Sequence, residues 1–155
     1  QDDPAAFARK IGAGKSAQAT SDFMIIARIE SLILGKGVDD ALARARAYVD
    51  GGADGIMIHS REKDARQLLD FCRAFAALAA DVPLVVVPTT FSHMREEDLR
   101  RAGARIVIYA NHLLRSAYPA MRRAAESILR HGRALEAESE CMPIEEVLTL
   151  IPGGK

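Results

Sequence analysis

The sequence predicts an α/β fold in which four strand–helix units form the second half of a (β/α)8 TIM-type barrel. Short apolar runs alternate with longer segments of helical periodicity, which predicts a parallel sheet, either an open doubly wound sheet or part of a barrel. In "DGGADGIMI" and in "RRAGARIVI", a helix ends in small residues just before the next strand begins. This repeated arrangement favours the barrel. A complete barrel needs about 250 residues and eight units. These 155 residues supply four units after one leading helix, so half a barrel is expected.

The leading helix is predicted over residues 4–19. Asp3 can cap its N-terminus, and Pro4 suits the first helical position. Phe7 and Ile11 lie one turn apart and predict a buried face. The helix therefore precedes the first strand without a strand partner of its own.

Four strand–helix units follow this helix. The strands are predicted at 22–29, 53–60, 83–91 and 104–112, and the helices at 38–52, 64–80, 95–103 and 113–132. The third strand, "PLVVVPTTF", has an all-apolar body, which indicates burial on both faces. Apolar spacing predicts buried stripes on two helices, Val38, Leu42, Ala45 and Val49 on one and Leu68, Leu69, Cys72 and Phe75 on the other. Gly51 or Gly52 is expected to end the first of these helices.

The chain is expected to be one part of a single domain. Residues 1–21 carry the leading helix, residues 22–131 the four units, and residues 132–155 a polar tail. The last long helix tolerates Pro119 in its early turns, and Pro143 can start a short helix in the tail.

Composition excludes several classes of function. Lys plus Arg equals Asp plus Glu, 21 of each, so no basic excess favours nucleic acid. No apolar run approaches the roughly 20 residues of a membrane helix. Cys72 and Cys141 form no metal or redox motif and fit a reducing compartment. The sequence therefore predicts a soluble cytoplasmic protein that binds neither nucleic acid nor membrane.

Polar side chains stand where each predicted strand ends. In parallel α/β folds the side chains at the carboxyl ends of the strands converge on one crevice. The four strands supply, in order, Arg28 and Glu30, His59 and Ser60, Thr89 and Thr90, and Asn111 and His112. Arg28 and Glu30 share a face by the period of two, and an arginine fork can hold a phosphoryl or carboxylate group. The pattern predicts an anion site with an arginine and a histidine on adjacent strand ends.

Each of these residues also has a structural interpretation. Arg28 and Glu30 could form an ion pair that closes a barrel mouth, and His59 could be a hydrogen-bonded core histidine. The threonines of "VPTTF" more often tie a loop than contact a substrate, and Asn111 is best interpreted as a helix N-cap. No glycine-rich phosphate loop of the G-x-G-x-x-G or Walker kind is present, so nucleotide binding has no support in the sequence.

Four motifs carry a resemblance to a known family. "FMIIARIESLILGKG", "YVDGGADGIMIHS", "VPLVVVPT" and "IVIYANHLLRSAYPAM", in this order and spacing, resemble the C-terminal half of the phosphoenolpyruvate mutase family, within the isocitrate lyase and phosphoenolpyruvate mutase superfamily. The resemblance implies that Arg28 binds the substrate and that His59 contacts its phosphoryl group. Glu30 would support the site near the metal, and Ser60, Thr89 and Asn111 are further candidate supporting residues.

The resemblance also implies a reaction and a cofactor. Family members interconvert phosphoenolpyruvate and phosphonopyruvate and use Mg²⁺. Their metal-binding aspartates and gating loop belong to the first half of the barrel, so no metal ligand is expected in this segment. Either the chain is an excerpt of a longer protein, or the fragment is inactive alone.

Two other functions stay open. Phosphonopyruvate hydrolase shares the strand motifs, although "ESLILGKG" and "ANHLLRSAYPAM" are closer to mutase versions. A non-catalytic assembly module is the alternative of another class, because family barrels commonly exchange their last helix and form homodimers or homotetramers. Met121, Ile128 and Leu129 would then supply apolar interface contacts. The carbon–carbon lyases of the superfamily are a weaker fit, since neither cysteine is placed for catalysis.

Overall fold

The computed structural model describes residues 1–78 and 81–150. The end of the helix predicted at 64–80 and the last residues of the tail therefore lie outside the described residues. The chain divides into two compact units, Gln1–Ala110 and Asn111–Lys155. No helix in the described part of the chain is both long and apolar enough to cross a membrane.

The first unit contains the four-stranded sheet. Its elements are α1 (Pro4–Ser16), β1 (Ile26–Ile29), α2 (Gly37–Asp50), β2 (Gly55–Ile58), α3 (Arg66–Ala76), β3 (Leu84–Val86), α4 (Glu96–Arg101) and β4 (Ile106–Val107). The strands pair in the order β1-β2-β3-β4, and every pair is parallel. The predicted alternation of strands and helices is confirmed, but each strand is shorter than its apolar run.

The register of the sheet separates its two faces. Ala27, Ile56 and Leu84 align across β1, β2 and β3, and all three are buried in the apolar core with α2 and α3. In the next row, Arg28 aligns with Met57, and Met57 with Val85. Because side chains alternate between faces along a strand, Arg28 points away from the helix-covered face.

The stripe predicted on helix α2 is confirmed in part, since Ala45 is buried and its other members pack against the core. The buried residues of the helix are Ala41, Arg44, Ala45 and Tyr48, whereas Val38, Leu42 and Val49 are only partly buried. The small side chains of Ala41 and Ala45 let the helix approach its neighbours closely. Arg44 is buried because hydrogen bonds satisfy its guanidinium, a pattern that hydrophobic spacing does not detect. Gly52, with φ of 97°, provides the left-handed turn after the helix.

Helices α1 and α3 agree better with prediction. The Asp3 carboxylate accepts a hydrogen bond from the Ala6 amide at 3.0 Å, which confirms the cap, although α1 ends at Ser16. In α3 the predicted positions Leu68, Cys72 and Phe75 are buried, Leu69 is partly buried, and Phe71 is an additional buried residue.

The second unit consists of α5 (His112–His131), a 3-10 helix (Leu135–Glu140) and α6 (Ile144–Val147). Helix α5 packs on the 3-10 helix, and Arg123 Nε donates to Glu140 Oε2 at 2.9 Å. Gly132 ends α5 in the left-handed conformation, and Pro143 precedes α6 as predicted. Asn111 is the N-cap residue of α5, as predicted, but its side chain makes no capping hydrogen bond.

Candidate active site

Two adjacent strands place three polar side chains at one end of the sheet. Arg28 lies in β1, Glu30 directly follows it, and His59 directly follows β2. The His59 amide donates to the Ile29 carbonyl at 3.2 Å, so the parallel ladder continues one residue beyond β2. This register brings the imidazole beside the Glu30 carboxylate at the carboxyl ends of the strands.

Arg28, Glu30 and His59 form one hydrogen-bonded group, called here the strand-end cluster. Arg28 Nε donates to Glu30 Oε1, and Arg28 Nη2 contacts His59 Nδ1. His59 Nδ1 lies 3.2 Å from Glu30 Oε2 and 3.3 Å from Oε1. The structure therefore brings together three of the four residues that the sequence placed at the first two strand ends.

The cluster is partly open to solvent. The Arg28 side chain is 51 % exposed, that of Glu30 31 % and that of His59 28 %. His59 is hydrogen-bonded, as the interpretation of it as a core histidine expected, but it is half-buried and not part of the core. An ion pair with this exposure contributes only about 0–1 kcal/mol to stability. Structural stabilisation alone is a weak reason to place these charges on an otherwise apolar sheet.

Glu30 is the electrostatic centre of the cluster. Partial burial acts to raise the pKa of its carboxyl group, but hydrogen bonds from Arg28 and His59 outweigh that effect and lower the pKa. Glu30 is therefore charged at neutral pH and holds the Arg28 guanidinium in place.

His59 Nδ1 has a donor on one side and an acceptor on the other. In the neutral ring Nδ1 can accept from Arg28 or donate to Glu30, but not both, and the tautomer decides which. When Arg28 donates to Nδ1, the proton is on Nε2, which can then donate to an anion. Arg28 and His59 together can thus supply several donors to a phosphoryl or carboxylate group.

The other predicted strand-end residues have structural contacts. Ser60 is buried, its Oγ accepts from the Glu62 amide at 3.2 Å, and its carbonyl accepts from Thr90 Oγ1 at 3.3 Å. The loop-tying interpretation is confirmed for Thr90. Thr89 is partly buried, and its amide donates to the Val87 carbonyl. Asn111 belongs to the second unit, where its Oδ1 is buried without a hydrogen bond from the described residues.

Sequence reasoning missed a polar network behind Glu30. Ser31 Oγ donates to Asp40 Oδ2 at 2.6 Å, and Arg44 Nε donates to the same oxygen at 2.9 Å. The i,i+4 spacing of Asp40 and Arg44 was the available signal. Nothing in the spacing indicated that Ser31 would join them.

The described residues contain no metal site. Across residues 1–78 and 81–150, no three His, Cys, Asp or Glu side chains come together in a way that could hold an ion. Cys72 is buried, and burial raises the pKa of its thiol to about 12, so it is not a nucleophile. Cys141 is exposed in the second unit.

Comparison with known proteins decides the family. Residues 1–129 match the family described as phosphoenolpyruvate phosphomutase. The chain belongs to this family. It is 40 % identical over 147 residues to phosphonopyruvate hydrolase of Variovorax sp. (strain Pal2), an alignment that covers 93 % of this chain and 49 % of the relative. The chain thus spans about half the length of the curated relatives it matches.

Solved structures support the same placement. The phosphoenolpyruvate phosphomutase of Streptomyces platensis subsp. rosaceus superposes with a TM-score of 0.85 at 40 % identity, covering 94 % of this chain and 50 % of that one. Phosphonopyruvate hydrolase in complex with oxalate and Mg²⁺ superposes with a TM-score of 0.84 at 37 % identity, covering 95 % and 51 %. The neighbours are barrel enzymes of the phosphoenolpyruvate mutase/isocitrate lyase superfamily, and the predicted half-barrel is confirmed.

Proposed function

We propose that this chain supplies the phosphoryl-binding half of a phosphoenolpyruvate mutase, which interconverts phosphoenolpyruvate and phosphonopyruvate. The observation that carries the proposal is the strand-end cluster, in which Glu30 holds Arg28 and His59 side by side at the carboxyl ends of two parallel strands. Membership of the phosphoenolpyruvate phosphomutase family supports the substrate class.

The proposed roles follow from charge and geometry. Arg28 binds the phosphoryl oxygens through its planar fork, and His59 donates to the same group from Nε2. Glu30 orients Arg28, which in turn donates from Nη2 to His59 Nδ1, and Glu30 does not contact the substrate. Phosphoryl transfer passes through a loose state with charge spread over the transferred oxygens, so positioned cations provide most of the catalysis that a protein can offer. Ser60, Thr89 and Asn111 are proposed only as supporting residues.

Magnesium is proposed as the cofactor, but not on residues of this chain. The described residues do not fit a magnesium site, and a hydrolase neighbour was solved with Mg²⁺ and oxalate. The metal ligands are therefore proposed to lie elsewhere in the barrel, and the fragment alone is proposed to be inactive.

Phosphonopyruvate hydrolase is the second candidate function. The specific observation in its favour is the 40 % identity to the Variovorax hydrolase, which is as high as the identity to the Streptomyces platensis phosphomutase structure. In both reactions the carbon–phosphorus bond breaks. In the mutase the enolate oxygen of pyruvate takes the phosphoryl group, whereas in the hydrolase water takes it and phosphate and pyruvate are released.

A role in assembly is proposed for α5 alongside catalysis. The side chains of Met121, Ile128 and Leu129 are 58 %, 42 % and 84 % exposed, and α5 has no buried residue. We propose that these apolar side chains contact a second copy in a homodimer or homotetramer. Sedimentation of the full-length protein with and without Leu129→Glu tests this; an unchanged oligomer would contradict it.

Phosphorus NMR of phosphonopyruvate with Mg²⁺ and the full-length protein tests the reaction. Phosphoenolpyruvate as product supports the mutase, and inorganic phosphate supports the hydrolase. The Arg28→Ala variant should lose either activity. Arg66→Ala is the matched control, because Arg66 also pairs with a neighbouring carboxylate, Asp64, but is 86 % exposed and outside the cluster. No turnover by the wild-type protein would contradict both reactions and favour the non-catalytic assembly module.

A further inference from the structure

A buried polar network lies directly behind the strand-end cluster. Ser31, the residue after Glu30, is fully buried, and its Oγ donates to Asp40 Oδ2 at 2.6 Å. The backbone turn around it is closed by the Leu34 amide, which donates to the Glu30 carbonyl at 3.0 Å, and by the Lys36 amide, which donates to the Ser31 carbonyl at 2.9 Å. The backbone that presents Glu30 is therefore fixed to the first turn of α2.

Asp40 is itself held from the interior of the first unit. Arg44 Nε donates to Asp40 Oδ2 at 2.9 Å, and the Arg44 side chain is only 5 % exposed. Arg44 Nη1 donates to the Asp2 carbonyl at 2.7 Å and to Tyr48 Oη at 3.3 Å. A buried arginine with all these partners cannot move without leaving a charge unpaired, so Asp40 is a rigid anchor.

We propose that Ser31 and Asp40 are positioning residues that fix Glu30 and, through Glu30, orient Arg28 and His59. Ser31 directly follows Glu30 in the chain. Loss of the hydrogen bond between Ser31 and Asp40 therefore frees the backbone that positions the Glu30 carboxylate, and with it Arg28 and His59. A misplacement of a fraction of an ångström at such a site reduces rate more than binding. The catalytic consequence rests on the proposed function, whereas the orientation of His59 does not.

The Ser31→Ala variant of the full-length protein tests the proposal. It removes one hydroxyl and leaves the Asp40–Arg44 pair intact. Two readouts are expected to change: kcat for phosphonopyruvate falls about tenfold with KM within about threefold, and the ring ¹⁵N signals of His59 shift. Ser31→Cys, which keeps the shape with a much weaker donor, is expected to give the same changes and serves if Ser31→Ala folds poorly.

Lys15→Gln is the matched control. It removes a partly buried contact to an aspartate of the same unit, the ion pair of Lys15 Nζ with Asp54 at 2.7 Å. This pair lies at the opposite end of β1, where Asp54 also accepts from the Ile25 amide at 2.8 Å. This variant should lose stability without moving the His59 signals or kcat.

Two results would overturn the positioning role: unchanged His59 signals in both Ser31 variants, or equal changes in Lys15→Gln, which would make the network merely structural. If the wild-type protein turns over neither substrate, the proposed function fails, and the His59 signals still decide the orientation.

Discussion

Replacing Arg28 with lysine separates the shape of the guanidinium from its charge. Arg28 uses two different nitrogens in the strand-end cluster, Nε toward Glu30 and Nη2 toward His59. These partners lie on two neighbouring strands. A lysine ammonium is a single point charge and cannot occupy both positions of the fork, so Arg28→Lys keeps the positive charge but loses the bridge between the strands.

The expected loss follows from the number of contacts removed. A hydrogen bond to a charged group contributes about 1.5–3 kcal/mol, and Arg28→Lys removes at least one of them from the phosphoryl group or its holder. A loss of that size lowers kcat/KM by roughly ten- to hundredfold. Arg28→Ala removes the whole fork and should lower kcat/KM further.

A progress curve followed by phosphorus NMR with phosphonopyruvate and Mg²⁺ measures kcat/KM for both variants of the full-length protein. Arg66→Lys is the control, since it makes the same chemical change in an exposed pair with Asp64. If Arg28→Lys keeps kcat/KM within about threefold of wild type, the account in which the Arg28 fork must bridge Glu30 and His59 is refuted, and charge alone suffices.

Four further outcomes are expected. Glu30→Gln should lower the free energy of unfolding by about 1 kcal/mol at neutral pH. Because the folded-state pKa of Glu30 is lowered, this difference should vanish as acid protonates the wild-type carboxylate. Equal differences in Tm between the variant and the wild type at neutral and at acidic pH would contradict this. Gly103→Ala should lower the free energy of unfolding by about 2–5 kcal/mol, since φ is +110° and a Cβ would lie 2.8 Å from Ala76 Cβ. A loss of less than about 1 kcal/mol, measured by denaturant unfolding, would contradict this. Thiol labelling with mass mapping should modify Cys141 but not Cys72 in the folded protein. These 155 residues alone should dimerise, aggregate or stay partly molten, and a monodisperse, cooperatively melting monomer would contradict that.

The strand-end cluster was predictable because it depends on local alternation and on parallel topology. Arg28 and Glu30 share a face by spacing alone, and parallel strands bring His59 to the same edge. The lengths of the strands were not predictable. Phe23 and Met24 continue the apolar run of β1 but are 64 % and 49 % exposed, because pairing with β2 begins only at Ile26.

The network behind the cluster was not predictable, for a different reason. Arg44 is buried on a helix whose apolar residues suggested another face, and burial of a guanidinium depends on partners distant in sequence. The Asp2 carbonyl lies 42 positions away from Arg44 in the chain. Hydrophobic periodicity carries no information about such contacts.

A crystal structure of the full-length protein with phosphonopyruvate and Mg²⁺ tests the central claim most directly. The account predicts phosphoryl oxygens within hydrogen-bonding distance of both the Arg28 guanidinium and His59 Nε2, with Glu30 still bound to Arg28. A phosphoryl group bound elsewhere, with Arg28 and His59 contacting only Glu30 and each other, would contradict it and leave the cluster as a structural ion pair.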